Sequence, residues 1–188
     1  MTRSLATEPA KPVALPLKAV VFSQDVIAQR VGQLSKEITR DYRGKDLMVV
    51  GILKGAQVFA SDLIRHLPFS ASLDFISISR YKQAPGLKEV RITKDLESGI
   101  EGRHLLLVED IVETGLTLNY LIGALKSRNP ESLAVCSLLD RPALRLADIP
   151  MKYVGFDVNQ EFLVGYGLDY RDQYRDLPYI GAVDLSDR

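Results

Sequence analysis

Short apolar runs separated by helix-length segments are the feature that most limits how this chain can fold. The run Leu47–Leu53 is continuously apolar, which is typical of a strand buried on both faces. Residues 105–108 and 132–139 predict two more such strands. Strands that alternate with helices favour a mostly parallel central sheet flanked by helices, so the predicted fold class is α/β. The 188 residues suffice for one domain with a buried core.

Local patterns of apolar and polar residues predict the remaining helices and strands. Ser23 is a suitable N-cap for a helix that extends to about Tyr42. We expect two further helices, at residues 56–66 and 117–128. We also expect shorter strands at residues 73–78, 153–156 and 179–183.

Two segments lack clear patterning. Residues 80–96 are polar and contain Pro85 and Gly86, so we expect a long loop, which in a small domain is usually functional or disordered. Residues 1–18 contain three prolines and no uninterrupted apolar stretch, so they predict a flexible tail instead of a signal peptide. A single domain at residues 19–188 and a cytoplasmic location follow as expectations.

Composition excludes several classes of function. The 24 basic and 24 acidic residues balance, which disfavours nucleic acid and anionic membranes as partners. No apolar stretch is long enough to span a bilayer. Cys136 is the single cysteine and lies in an apolar run, so we expect a buried thiol and no disulfide.

The segment 105–117 combines a strand end, a loop and a helix start. Ligands bind at the carboxyl ends of strands in open α/β sheets. Backbone N–H groups at a helix start, together with hydroxyls, can cradle a phosphate, and carboxylates just before them can accept hydrogen bonds from vicinal sugar hydroxyls. The segment therefore predicts a ribose 5-phosphate pocket, with a capped turn beside a solvated acidic patch as the alternative. Its polar and turn residues are Glu109, Asp110, Glu113, Thr114, Gly115, Leu116 and Thr117.

An acidic pair followed by Thr-Gly-Leu-Thr resembles the motif of phosphoribosyltransferases that use phosphoribosyl pyrophosphate. The similarity to the hypoxanthine–guanine phosphoribosyltransferases extends from about Val20 to Val183. It implies transfer of the 5-phosphoribosyl group to N9 of hypoxanthine or guanine, both 6-oxopurine bases, with Mg²⁺ as cofactor. It also implies the type I phosphoribosyltransferase fold with a small hood subdomain, and a homodimer or homotetramer.

The resemblance assigns roles around the leaving group and the sugar. Lys54 and Gly55 correspond to a turn that binds pyrophosphate, often through a cis peptide that does not involve proline. Arg175 would clamp the pyrophosphate, and Asp169 would bind Mg²⁺. The acidic pair would bind the ribose hydroxyls, and the Thr114–Thr117 turn would bind the 5-phosphate.

The resemblance also assigns the purine site. Arg141 would donate to the 6-oxygen of the base, Phe162 would stack on its face, and Leu163 would offer backbone hydrogen bonds. Glu113 would act as the catalytic group, taking the proton at purine N7 or steadying it.

Three of these positions depart from the pattern of the family. Glu113 stands where most relatives have aspartate, and Arg141 where they have lysine. Arg80 stands in place of a serine before Tyr81, at the start of the family's mobile loop. The sequence leaves open whether these changes compensate one another. It also leaves open a phosphoribosyltransferase for xanthine or adenine, and a non-catalytic, RNA-binding regulator on the same fold.

Overall fold

The computed structural model describes residues 16–84, 87–159 and 161–184, with backbone alone for residues 80–84 and 87–89. A 3-10 turn at Pro142–Leu144 follows the sixth strand. The strands and helices, in chain order, are β1 (Leu17–Phe22), α1 (Gln24–Tyr42), β2 (Leu47–Leu53), α2 (Gln57–Arg65), β3 (Ser72–Ala84), β4 (Leu87–Lys94), β5 (His104–Val112), α3 (Leu116–Lys126), β6 (Ser132–Asp140), β7 (Met151–Asp157), β8 (Phe162–Val164) and β9 (Ile180–Val183).

The central sheet has six strands in the spatial order β4-β3-β2-β5-β6-β7. All neighbouring pairs are parallel except β3 and β4, which form an antiparallel hairpin. Because β2, β5 and β6 are adjacent and parallel, their carboxyl ends lie side by side at one edge of the sheet. The predicted α/β class with a mostly parallel sheet is confirmed.

Alternate residues of the inner strands face opposite layers of helices, which explains why these strands are apolar throughout. Val49 packs with α1 and α2 on one side of the sheet. Its neighbours Met48 and Val50 pack with α3 on the other side. Ser23 caps α1, because its side chain accepts a hydrogen bond from the amide of Val26.

A second, three-stranded sheet has the order β1-β9-β8 and is antiparallel. It joins the beginning of the described chain to its end and forms the small hood expected above the core. Residues 1–15 of the expected tail lie outside the described residues. Leu17 and Lys18, which we also placed in the tail, belong to β1.

The expectation of a loop at residues 80–96 is wrong. The backbone forms the β3–β4 hairpin, with register pairs from Ser77 opposite Lys94 to Ala84 opposite Leu87. Ile78 and Ile92 pack against the core, whereas much of the hairpin is polar, so its sequence lacks the apolar run of an inner strand. Pro85 and Gly86 lie outside the described residues.

The boundary predicted for the fifth strand is also wrong. We expected a loop from Glu109, but pairing with β6 continues as far as Val112 opposite Asp140. The acidic pair therefore lies on a strand and is held by the sheet. No helix in the described segments is both long and apolar enough to cross a membrane.

Candidate active site

The acidic pair lies near the end of β5 and against the turn that follows β2. Asp110 accepts a hydrogen bond from the amide of Ile111 at 2.8 Å. A Cβ atom added to Gly55 would lie 1.6 Å from the Asp110 Oδ2 atom. Only glycine at position 55 allows the two segments to approach this closely.

Burial raises the pKa of both carboxyls of the pair. The pKa of Asp110 rises to about 6, with amide hydrogen bonds and the charge of Arg175 acting in the opposite direction. The pKa of Glu109 is raised well above its ordinary value, first by burial and then by the charge of Asp110. The Glu109 Oε2 atom is buried and has no hydrogen-bond partner among the described residues. An unpaired buried acceptor of this kind suits a ligand that brings hydroxyl donors.

The start of α3 forms a small cradle beside the acidic pair. Gly115 precedes the helix with φ of +76°, a left-handed conformation that glycine adopts readily. The carbonyl of Thr114 accepts hydrogen bonds from the amides of Leu146 and Ala147, at 3.0 and 3.1 Å. A cavity of about 140 Å³ is lined by Glu109 together with Glu113, Thr114, Gly115 and Thr117. The carboxylate and the helix start therefore share one pocket.

A cluster of opposite charges begins at Lys54, directly before Gly55. The Leu53–Lys54 peptide is cis, and the Lys54 Nζ atom lies 3.1 Å from the Asp172 Oδ1 atom. Arg175 contacts Asp169 at 2.7 Å and Asp172 at 3.1 Å. The hydrogen bonds from Lys54 and Arg175 lower the pKa of Asp172. The sequence prediction brought Lys54, Asp169 and Arg175 to this site, and the structure places them together.

Asp172 is a site residue that the sequence analysis missed. The signal available was a second carboxylate three residues after Asp169, in the same turn. The Asp169 Oδ2 atom accepts a hydrogen bond from the Asp172 amide at 2.8 Å, which holds that turn closed. Gly167 anchors the turn to the core, because a Cβ atom there would lie 2.1 Å from the carbonyl oxygen of Gly55.

The described residues contain no group of three or more acidic, histidine or cysteine side chains arranged to hold a metal ion. Carboxylates of Asp169 and Asp110 nevertheless face the same region, since the charge of Asp169 contributes to the raised pKa of Asp110. Mg²⁺ commonly binds through one or two carboxylates together with phosphate oxygens of a substrate. The available oxygen donors therefore fit Mg²⁺ only in company with a phosphate ligand.

The residues predicted to bind a base connect to this cavity through Glu113, and Arg141 itself lines a second cavity. The guanidinium of Arg141 contacts the Glu113 carboxylate at 2.5 Å. Phe162 is 36% exposed and lies edge-on to Tyr170, with ring centroids 5.7 Å apart. Leu163 is buried in β8, between the hood and the core. The partly exposed ring of Phe162 follows Glu161, whose carbonyl accepts a hydrogen bond from Arg141, and it is accessible for stacking.

For Arg80 and Tyr81, the predicted site residues of the expected mobile loop, the structure describes the backbone alone. Their backbone lies in β3 instead of a loop, paired with Val90 and Glu89 of β4. Their side chains lie outside the described part of the chain.

Comparisons with known proteins agree with this geometry. Residues 21–171 match the model of the phosphoribosyl transferase domain family. A hypoxanthine-guanine phosphoribosyltransferase of Mycobacterium avium is 43% identical over 191 residues, covering 96% of this chain and 94% of the relative. The crystal structure of a hypoxanthine phosphoribosyltransferase from Staphylococcus aureus superposes with a TM-score of 0.85 at 46% identity, covering 89% of this chain and 92% of that one.

Proposed function

The chain belongs to the phosphoribosyltransferase family, and from this premise we propose that it is a purine salvage enzyme. It transfers the 5-phosphoribosyl group from phosphoribosyl pyrophosphate to N9 of hypoxanthine or guanine and releases pyrophosphate. One observation carries the proposal: Glu109 and the Thr114–Thr117 turn line the same cavity. An acceptor for sugar hydroxyls and a cradle for a phosphate thus border one cavity.

The sugar phosphate is bound at both of its ends. Glu109 and Asp110 accept hydrogen bonds from the ribose hydroxyls while C1 becomes cation-like, and the unpaired oxygen of Glu109 supports this role. The amides and hydroxyls of Thr114–Thr117, including the amides of Gly115 and Leu116, bind the 5-phosphate at the positive end of the α3 dipole.

The leaving pyrophosphate binds at the charge cluster beside the cis turn. Lys54 and Arg175 now contact Asp172 and Asp169, and they turn their charges to the phosphate oxygens when the substrate binds. The amide of Gly55 lies in the same turn. Asp169, together with the substrate phosphates, would hold Mg²⁺, which would supply positive charge against the negative charge of the departing group.

The base lies beside Arg141 and Glu113. Arg141 donates to the 6-oxygen, Phe162 stacks on the ring, and Leu163 contributes backbone hydrogen bonds. Glu113 is placed to accept the N7 proton or steady it. Its contact with Arg141 supports this placement, because both side chains then border the same base. Arg80 and Tyr81 would belong to the element that covers the site.

The resemblance further supports a homodimer or homotetramer, and the sequence supports a cytoplasmic location. Size-exclusion chromatography with light scattering distinguishes these two assemblies from a monomer. Fractionation of cells that express the tagged chain tests the location.

Product analysis with four bases tests the proposed reaction. The purified protein is incubated with Mg²⁺, phosphoribosyl pyrophosphate and either hypoxanthine, guanine, xanthine or adenine, and nucleotide formation is followed. We expect turnover with the first two bases. Turnover with xanthine or adenine alone would support the sugar-phosphate site but would change the base that the enzyme uses. Tight RNA binding without turnover would refute the proposed reaction and favour the non-catalytic, RNA-binding regulator.

Glu113→Gln tests the catalytic assignment. We expect kcat to fall far more than KM rises, since the change removes a proton acceptor and leaves the shape of the side chain. Glu131→Gln is the matched control, because Glu131 is exposed and precedes β6 at the opposite edge of the sheet. Equal kcat in the Glu113→Gln variant and the wild type would remove Glu113 from the mechanism.

A further inference from the structure

The register of the sheet fixes where the side chain of Arg141 begins. Val112 and Asp140 are register partners at the ends of β5 and β6. Arg141 directly follows Asp140, and its amide donates to the carbonyl of Val112 at 2.9 Å. Arg141 therefore lies beside Glu113, which directly follows Val112.

The guanidinium of Arg141 connects three parts of the molecule. Its Nη1 atom donates to the Glu113 Oε1 atom at 2.5 Å, and its Nη2 atom donates to the carbonyl oxygen of Glu161. Glu161 precedes β8, so the second bond reaches the hood. The side chain of Arg141 is 10% exposed, whereas the side chain of Glu113 is 49% exposed. A buried, rigid group thus holds a carboxylate that solvent would otherwise leave mobile.

Arginine can hold these two groups and still serve a ligand. Its five N–H donors lie in one plane, and the structure uses one donor on each of the two Nη atoms. The Nε atom is buried and has no hydrogen-bond partner among the described residues. A lysine ammonium has no such planar fork, so it would not hold the two acceptors in the fixed directions that the guanidinium imposes.

We propose that Arg141 is the positioning residue for Glu113, fixing the carboxylate relative to the core and to the hood, while each Nη atom keeps a second N–H donor. The inference rests on the proposed role of Glu113 at the purine. Loss of the guanidinium leaves the carboxylate in place chemically but free to move. Misplacement of a reacting group by about 1 Å can lower a rate on the order of a hundredfold.

A double-mutant cycle on turnover tests this. Arg141→Met is expected to lower kcat on the order of a hundredfold in the wild-type background. In the Glu113→Gln background the same change is expected to alter kcat by less than about threefold, since no carboxylate remains to be positioned. Any contact between Arg141 and the base appears instead in KM and persists in both backgrounds.

The conservative variant Arg141→Lys separates positioning from base binding. Lysine keeps a donor for the 6-oxygen but loses the fork, so we expect a nearly unchanged KM for the base and a reduced kcat. Arg128→Met is the matched control, because Arg128 pairs with Asp95 at 2.8 Å on the surface and should leave kcat unchanged. Thermal unfolding of every variant identifies any that has lost its fold, and Arg141→Lys then carries the test.

The possible outcomes distinguish failure of the proposed function from failure of the positioning role of Arg141. Absence of turnover by the wild type with every base refutes the proposed function, and the positioning role falls with it. Turnover by the wild type with additive effects of the two substitutions refutes the positioning role alone. A higher kcat or a lower KM in Arg141→Met also refutes it, because the ion pair would then compete with the substrate.

Discussion

Replacement of Asp110 by asparagine should stabilise the protein at neutral pH while impairing its activity. The pKa of Asp110 rises from an ordinary value of 3.8 to about 6, chiefly because of burial. One pKa unit corresponds to about 1.4 kcal/mol, so ionised Asp110 lowers the free energy of unfolding by about 3 kcal/mol. Asparagine has the same shape and can still accept the hydrogen bond from Ile111. It also removes the repulsion that helps raise the pKa of Glu109.

The gain should depend on pH with a defined sign. Below the unfolded pKa of about 3.8 both states of the wild type hold the proton, so the variant and the wild type are equally stable. Between that value and pH 6 the folded state binds more protons than the unfolded state, and the wild type loses stability as the pH rises. We expect Asp110→Asn to be more stable by about 1.5 kcal/mol at pH 5 and by about 3 kcal/mol at pH 8.

Urea unfolding of both proteins at equal concentration, from pH 5 to pH 8, measures the difference. Asp74→Asn is the control, because the pKa of Asp74 is shifted in the opposite direction. Burial acts to raise the pKa of Asp74, but hydrogen bonds from the amides of Glu97 and Phe75 and from Lys94 lower it overall. The Asp74→Asn variant should therefore be less stable than the wild type, and the difference should stay constant from pH 5 to pH 8. A flat difference for Asp110→Asn, or lower stability at pH 8, would refute the reasoning.

Three further substitutions or reagents test other parts of the site. Gly55→Ala should lower kcat/KM on the order of a hundredfold and destabilise the fold by about 1–3 kcal/mol, measured by steady-state kinetics and urea unfolding, because its Cβ atom would overlap Asp110. Arg175→Lys should raise KM for phosphoribosyl pyrophosphate about tenfold or more, measured at saturating base, since lysine cannot replace the fork that contacts Asp169 and the Gly167 carbonyl. Cys136 should resist a thiol reagent in the native protein and react once urea unfolds it, because burial raises the pKa of its thiol.

The parts of the fold that were predicted correctly are those with a local pattern. Helix α1 begins after the Ser23 cap and has one apolar face, and the inner strands are continuously apolar. The first part of β3, residues 73–78, was predicted correctly, but the rest of the β3–β4 hairpin was missed because its polar residues are stabilised by pairing with a neighbouring strand instead of by burial. The strand β1 was missed because its partner β9 lies more than 150 residues away, and no pattern in residues 17–22 reveals it.

The candidate site also has a part that a local pattern predicted and a part that depends on the folded chain. The groups for the sugar and its phosphate lie within one segment, so their order along the chain already described a pocket. The contact between Glu113 and Arg141 depends on the register of β5 and β6, which sequence alone did not fix. Asp172 contacts Lys54 across 118 positions of the chain, and only the folded chain brings them together.

The hood has a consequence for when a newly made chain can begin to work. Its central strand, β9, lies between β1 and β8. Neither β1 nor β8 therefore has a partner in this sheet until β9 has been synthesised. A nascent chain that has emerged from the ribosome only as far as α3 or β6 already contains the acidic pair and the phosphate turn. It still lacks the sheet that carries Phe162. Catalysis therefore begins only when the two ends of the domain have met.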